Sequence, residues 1–298
     1  MRGVNYAECA PPPALASIVR CVWTLEGHAD DLGAAIQPVL PDGCPELVVH
    51  LGDAFERLHN GGAIERQPAA LIAGQLTSQL SLRATGRIAV VGVRFHPDGA
   101  AALVRTPQHE LADLTIGIDD VSAPLFRSIE DARDMTGSLM SRSDARDIGT
   151  AEAAASAIVT GLLAHAQGAQ VDGRVRQAVT IIERNHGRVS IDRLARHVGL
   201  TRRHLERRFH ALVGISPKRL ARIARFQHAL RVLGGNDGVS RGTQTAAECA
   251  YADQAHFVRE FRELAGCPPE AHLLRNAELN GFFTKGLGIR DVTPSVCR

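Results

Sequence analysis

Cys249, Asp253 and His256 fall within the stretch ECAYADQAHFVREF, residues 248–261. On one continuous helix they would stand at i, i+4 and i+7, near a single face. A thiolate, a carboxylate and an imidazole so placed could ligate a metal ion. The same letters also fit the turn and second helix of a DNA-reading unit. The surrounding elements have to decide between these two chemistries.

The whole chain sets broad bounds. Its 298 residues, 45% hydrophobic and 22% charged, suggest two globular domains, each long enough for a real core. No apolar run approaches the roughly 18 residues of a membrane span, and the opening MRGVNYAECA does not read as a signal peptide. A cytoplasmic bacterial protein without membrane contact is therefore expected. Cys9, Cys21, Cys44, Cys249, Cys267 and Cys297 form no CxxC pair, which suits reduced thiols.

The net charge of +2 hides an asymmetry. Residues 1–170 carry 12 Arg/Lys against 20 Asp/Glu, a net of −8, whereas residues 171–275 carry 19 against 10, a net of +9. A basic segment of this length is the electrostatic footprint of a polyanion binder. An acidic partner half opposes non-specific DNA contact and could dock against the basic half.

The first half reads as strands. CVWTLEG, PELVVHLGD, AALIAGQL, QLSLRATG and RIAVVGVRFH are short apolar or alternating runs separated by Gly, Pro and Asp. A small barrel or sandwich is expected over residues 1–120. HPDGAAALV should open a helix at Pro97. Residues 121–170 read as a helical extension and linker, with Leu125, Ile129, Ala132, Met135 and Leu139 at helical steps. That helical pair could dimerise or pack against its own barrel. Beyond residue 170 the chain reads helical to residue 275. The Gly-rich tail, 276–298, is expected to be disordered, with Phe282 and Phe283 able to pin it.

The basic half repeats itself. HLERRFHALVGISP (204–217) and HFVREFRELAGCPP (256–269) align at an offset of 52, matching Arg207 with Arg259, Phe209 with Phe261, Gly214 with Gly266 and Pro217 with Pro269. Each copy reads as a helix-turn-helix, at 190–213 and 243–265. Gly199 supplies the first turn, and Thr201 and Asp253 are N-caps for the second helices. The helix 217–233 joins the units, opened by Pro217. Leu205, Phe209 and Leu212 point inward, which leaves arginines on the outer face, where major-groove recognition needs them.

This layout resembles the AraC/XylS family of transcription regulators. YADQAHFVREF is close to that family's aromatic-x-Asp-Gln-Ser/Ala-His-Phe-x-Arg-x-Phe signature, and GCPP to its Gly-x-x-Pro close. LPDGCPELVVHLGD and VVGVRFHPDGAAALV resemble a cupin-like N-terminal domain attached to some members, for which no effector is settled. The resemblance implies an α+β protein, a β-rich cupin-like barrel followed by an all-α domain with two helix-turn-helix units. It implies double-stranded DNA as the partner, with RNA polymerase as a second, and no cofactor. Carried over by position, the DNA-contacting residues are Thr201, Arg202, Arg203, Glu206 and Arg207 in the first unit, and Gln254, Ala255, His256 and Arg259 in the second. Arg193, Arg196 and Arg222 would neutralise phosphates. Ala250 stands where the second unit's turn glycine is expected, and Thr243 and Thr245 stand where aliphatic residues are usual.

Within this reading Cys249 ends one helix and Asp253 caps the next, so the metal face dissolves. His256 is left as a phosphate contact or a packing residue. His28, His50, His59, His96 and His109 lack the cupin His-x-His spacing, and no nucleophile–base pair is visible, so no enzyme is expected. A small-molecule effector, a gating partner and a homodimer all stay open for the acidic half.

Overall fold

The computed structural model describes residues 4–32, 36–59, 61–140, 150–234, 242–278 and 295–296. The β half comprises β1 (Asn5–Ala10), β2 (Val19–His28), β3 (Gln37–Val39), β4 (Glu46–His50), β5 (Glu56–Leu58), β6 (Ile64–Arg66), β7 (Ala70–Ala73), β8 (Leu80–Arg83), β9 (Arg87–Phe95) and β10 (Thr115–Gly117). A two-residue β11 (Ser295–Val296) pairs parallel with β1.

These strands make two sheets. One runs β10-β7-β4-β9-β2-β1-β11 and the other β3-β8-β5-β6. Of the barrel and the sandwich expected from the strand runs, the described residues form two sheets and no closed barrel. Three of the four strands in the smaller sheet span only three residues, too short for a ladder that wraps onto its neighbour.

Period-2 alternation divides the larger sheet. On β4, Leu47 and Val49 face one core, whereas Glu46, Val48 and His50 face the smaller sheet. The register sets Glu46 beside Arg94, Val48 beside Gly92, and Trp23 beside Gly92. Gly92 is required there, because a Cβ would lie 1.9 Å from the Trp23 ring.

The helices follow as α1 (Ala29–Leu32), α2 (Ile118–Val121), α3 (Ala123–Met140) and α4 (Thr150–His165), then α5 (Gly173–Arg184), α6 (Ile191–His197), α7 (Arg202–Leu212), α8 (Pro217–Gly234), α9 (Gly242–Glu248), α10 (Gln254–Ala265) and α11 (Pro269–Glu278). Leu125 and Ile129 of α3 and Ala154, Ile158 and Leu162 of α4 are buried against the β2–β9 face of the larger sheet. The helical pair thus covers its own sheet. At HPDGAAALV only a 3-10 turn forms, Ala100–Ala102. Cys21, Cys44, Cys249 and Cys267 are free and buried, but Cys9 is disulfide-bonded, against the all-reduced expectation. Residues 279–294, with Phe282 and Phe283, and residues 297–298 lie outside the described residues.

The two halves dock. Asp98, almost wholly buried, receives Arg176 of α5 at 2.8–3.0 Å, in the polarity the charge asymmetry suggests. Arg20 pairs with Glu183 in the opposite sense. Leu40, in the loop between β3 and β4, packs into the helical core with Leu220, Ile223 and Phe226. Beside it, the Pro41 carbonyl accepts a hydrogen bond from Gln227 at 2.7 Å. The His109 ring meets His210 edge to face at 6.1 Å.

Candidate DNA-reading interface

In the first unit Ser190 caps α6 and Gly199, at φ +67°, reverses the chain. The Thr201 hydroxyl then accepts the His204 N–H at 3.3 Å, satisfying a donor that the helix cannot. Leu205 and Phe209 are fully buried and fix the rotation of α7. The same rotation exposes Thr201, Arg202, Arg203 and Arg207, with Glu206 half-buried. Arg202 bonds Glu206 at 2.9 Å and approaches Asp192 at 3.5 Å, and these partners raise its pKa. Arg203 and Arg207 form no ion pair among the described residues.

In the second unit Cys249 is fully buried just past α9. Asp253 accepts the His256 N–H at 2.7 Å, and Gly266 closes α10 in the left-handed region. Cys249, Asp253 and His256 are thus core, cap and first turn. Ala250 does adopt φ +57°, the strained turn conformation that its place in the repeat predicts. Thr245 is buried, whereas the side chain of Thr243 lies outside the described residues. Gln254, Ala255 and Arg259 are exposed. His256 is half-buried, its ring against Tyr251 at 5.5 Å and 83°, and Nε2 is 3.8 Å from Glu260.

The linker helix holds the two units through charges that the sequence reading assigned elsewhere or missed. Arg222 bonds Glu260 at 2.8 Å and also reaches Glu263, so it is turned inward, away from the phosphate role expected of it. Glu263 is held below the usual carboxylate range by that contact. Arg225 grips Glu260 and lies 4.7 Å over the Tyr251 ring. Arg193 and Arg196 are exposed. Between the units lies a groove of about 540 Å³ whose walls include Lys218, Arg222, Arg225 and Arg259. Its one missed signal was Glu260, which aligns with Arg208 in the repeat. Arg208 pairs with Asp172, the cap of α5.

Two capped helices on one joining helix, both presenting polar side chains outward, define a tandem helix-turn-helix DNA-binding protein. Residues 194–275 match a family described as "Helix-turn-helix domain", and residues 7–117 match "Domain of unknown function (DUF6597)". A probable AraC family transcriptional regulator from Rhodopseudomonas palustris is 30% identical over 35% of this chain and 97% of its own, with a TM-score of 0.32. An AraC-type regulator from Chromobacterium violaceum is 25% identical over 35% and 93%, with a TM-score of 0.32. An apo ToxT from Vibrio cholerae is 12% identical over 91% and 96%, with a TM-score of 0.44. No curated protein matches the chain. The chain belongs to the AraC family of transcription regulators and is a DNA-binding regulator of that type. Among the described residues no helix is long and apolar enough to cross a membrane.

Proposed function

We propose that the chain reads a specific double-stranded DNA sequence by laying α7 and α10 into successive major-groove faces about one helical turn apart. Thr201, Arg202, Arg203, Glu206 and Arg207 serve the first contact, and Gln254, Ala255, His256 and Arg259 the second. One observation carries this reading. Arg203 and Arg207 stand one helical turn apart on an exposed face, beyond a capped N-terminus, with no intramolecular ion pair among the described residues. Arginines so placed can bridge guanine O6 and N7. Gln254 suits adenine, and Ala255 can offer only a methyl contact. Selection from random DNA tests the assignment. Arg203→Ala should relax preference at one or two base positions by about 1–3 kcal/mol, and unchanged preference would rule it out.

The β half acts as the sensor. A cavity of about 90 Å³ between its sheets, with mostly apolar walls and a few polar groups, supports a very small effector over purely partner-gated control. The loop 40–44 supports a route outward, because Leu40, Asp42 and Cys44 line that cavity while Leu40 also packs against α8. A thermal-shift screen against metabolites tests this, since a ligand of the folded state raises the midpoint. Family membership also supports RNA polymerase as a partner and the cytoplasm as the compartment. A homodimer would have to use a surface other than the sheet face that α3 and α4 already cover, and sedimentation would detect it.

A further inference from the structure

The cavity between the sheets has an uneven charge. Arg94 is approached by three carboxylates, Glu46 at 2.7 Å, Asp42 at 3.4 Å and Glu8 at 3.7 Å. Arg20 also acts on this cluster through Asp42 and brings Glu183 of α5 with it, so four carboxylates face two guanidinium groups. With all groups ionised the cluster therefore carries surplus negative charge beside a low-dielectric space. Burial pushes Glu46 upward, which is the cost of leaving that charge unmatched. The indole N–H of Trp23 donates to Glu46 at 3.3 Å, and the Tyr6 and Trp23 rings lie 6.1 Å apart at the same wall. Aromatic faces beside carboxylates favour an organic cation. A divalent metal fits poorly, because among the described residues no three His, Cys, Asp or Glu side chains are grouped to hold one.

A second, independent feature points into the same cavity. His50 is 1% exposed, and its Nδ1 has no hydrogen-bond partner among the described residues. Its Nε2 is 3.2 Å from Gln67 Oε1, so Nε2–H donates and Nδ1 is left as a bare acceptor. Burial pushes the ring down to about 4, which keeps it neutral and accepting at pH 7. Glu46 and His50 are four residues apart on one strand face, roughly 13 Å. Between them the walls are apolar, with Leu25, Val48, Leu80 and Val90.

We propose that this cavity binds a short, apolar-bodied amine, its ammonium at Glu46 and Asp42 beside Trp23 and Tyr6, and a hydroxyl at its far end donating to His50 Nδ1. This inference rests on the sensor reading above and names the ligand class of that site.

The test uses the full-length protein and three probes of similar length: hexylamine, hexanoate and 6-amino-1-hexanol. Hexylamine, at about ten times its dissociation constant, should raise Tm by about 2–4 °C. The amino alcohol should raise it further, and hexanoate should not raise it. Glu46→Gln should abolish the amine response, and His50→Phe should abolish only the extra gain from the hydroxyl. If Glu46→Gln loses its cooperative transition, Asp42→Asn replaces it, with a weakened response expected. Stabilisation by hexanoate equal to that by hexylamine would overturn the proposal, as would an amine response intact in the carboxylate variant. DNA affinity, measured in parallel by fluorescence anisotropy, separates the two readings. A Tm shift without a change in DNA affinity keeps the amine site and removes the sensor role. Unchanged Tm with every amine removes the amine site and leaves DNA reading untouched.

Discussion

Arg225 and Glu260 are joined by three hydrogen bonds of 2.9–3.1 Å, which tie the linker helix to the second recognition helix. Glu260 is only 3% exposed and also takes Arg222, so two guanidinium groups depend on one carboxylate. Glu260→Ala would leave Arg225 without its carboxylate and Arg222 with Glu263 alone, in a half-buried site. The expected loss is about 2–3 kcal/mol, below the full cost of breaking a buried pair because both arginines keep some solvent. Urea denaturation would measure it. Operator selection should show the second half-site weakened and the first intact.

Ala250 gives a gain. Its φ of +57° costs an L-residue what glycine escapes. Ala250→Gly should stabilise the protein by about 1 kcal/mol, read as a higher denaturant midpoint with an unchanged slope. A loss of stability would show that the alanine methyl makes a compensating contact.

Histidine burial sets an acid limit. The folded-state pKa of His50 is lowered by burial to about 4, and those of His96, His186 and His228 are lowered too, with burial as the first cause in each. The unfolded chain therefore takes up protons first as pH falls. Stability is full above the unfolded value near 6.5, declines below it, and levels off for His50 under pH 4. His50 alone should contribute roughly 3 kcal/mol to that decline. A His50→Phe variant should show a shallower pH dependence over this window, and equal slopes would sink the assignment.

Leu40 offers a test of the docking. It is 2% exposed, with its partners in the helical half. Leu40→Ala should cost about 3 kcal/mol, the usual price of an aliphatic cavity. More tellingly, calorimetry should show one transition for the native chain and two for the variant, whose halves would no longer melt as one.

The repeat made much of the helical half legible. Once HLERRFHALVG and HFVREFRELAG are aligned, the caps Thr201 and Asp253, the core residues Phe209 and Phe261 and the strained Ala250 follow from local chemistry. These features depend on neighbours within a few residues. Arg222 was misplaced because periodicity says which residues of a helix share a face, and not which other helix that face meets. Its true partner, Glu260, is 38 residues away. The β half was legible as strands and not as closure, since the alternation in PELVVHLG gives the two faces of β4 but no strand order. The fate of the 123–165 helices turned on long-range packing in the same way.

The Leu40 loop also bears on how such regulators can be recombined. A graft cut between α4 and α5, within residues 166–172, would sever the chain where the two halves join by sequence. It would not sever them where they join by packing, because residues 40–44 would stay with the donor while their seat on α8 stayed with the recipient. Gly43 makes the fit stricter: at φ +82°, with Leu220 2.9 Å from where a Cβ would stand, it accepts few replacements. The heritable module in this protein is therefore discontinuous, and a working chimera must carry the loop and its helix together.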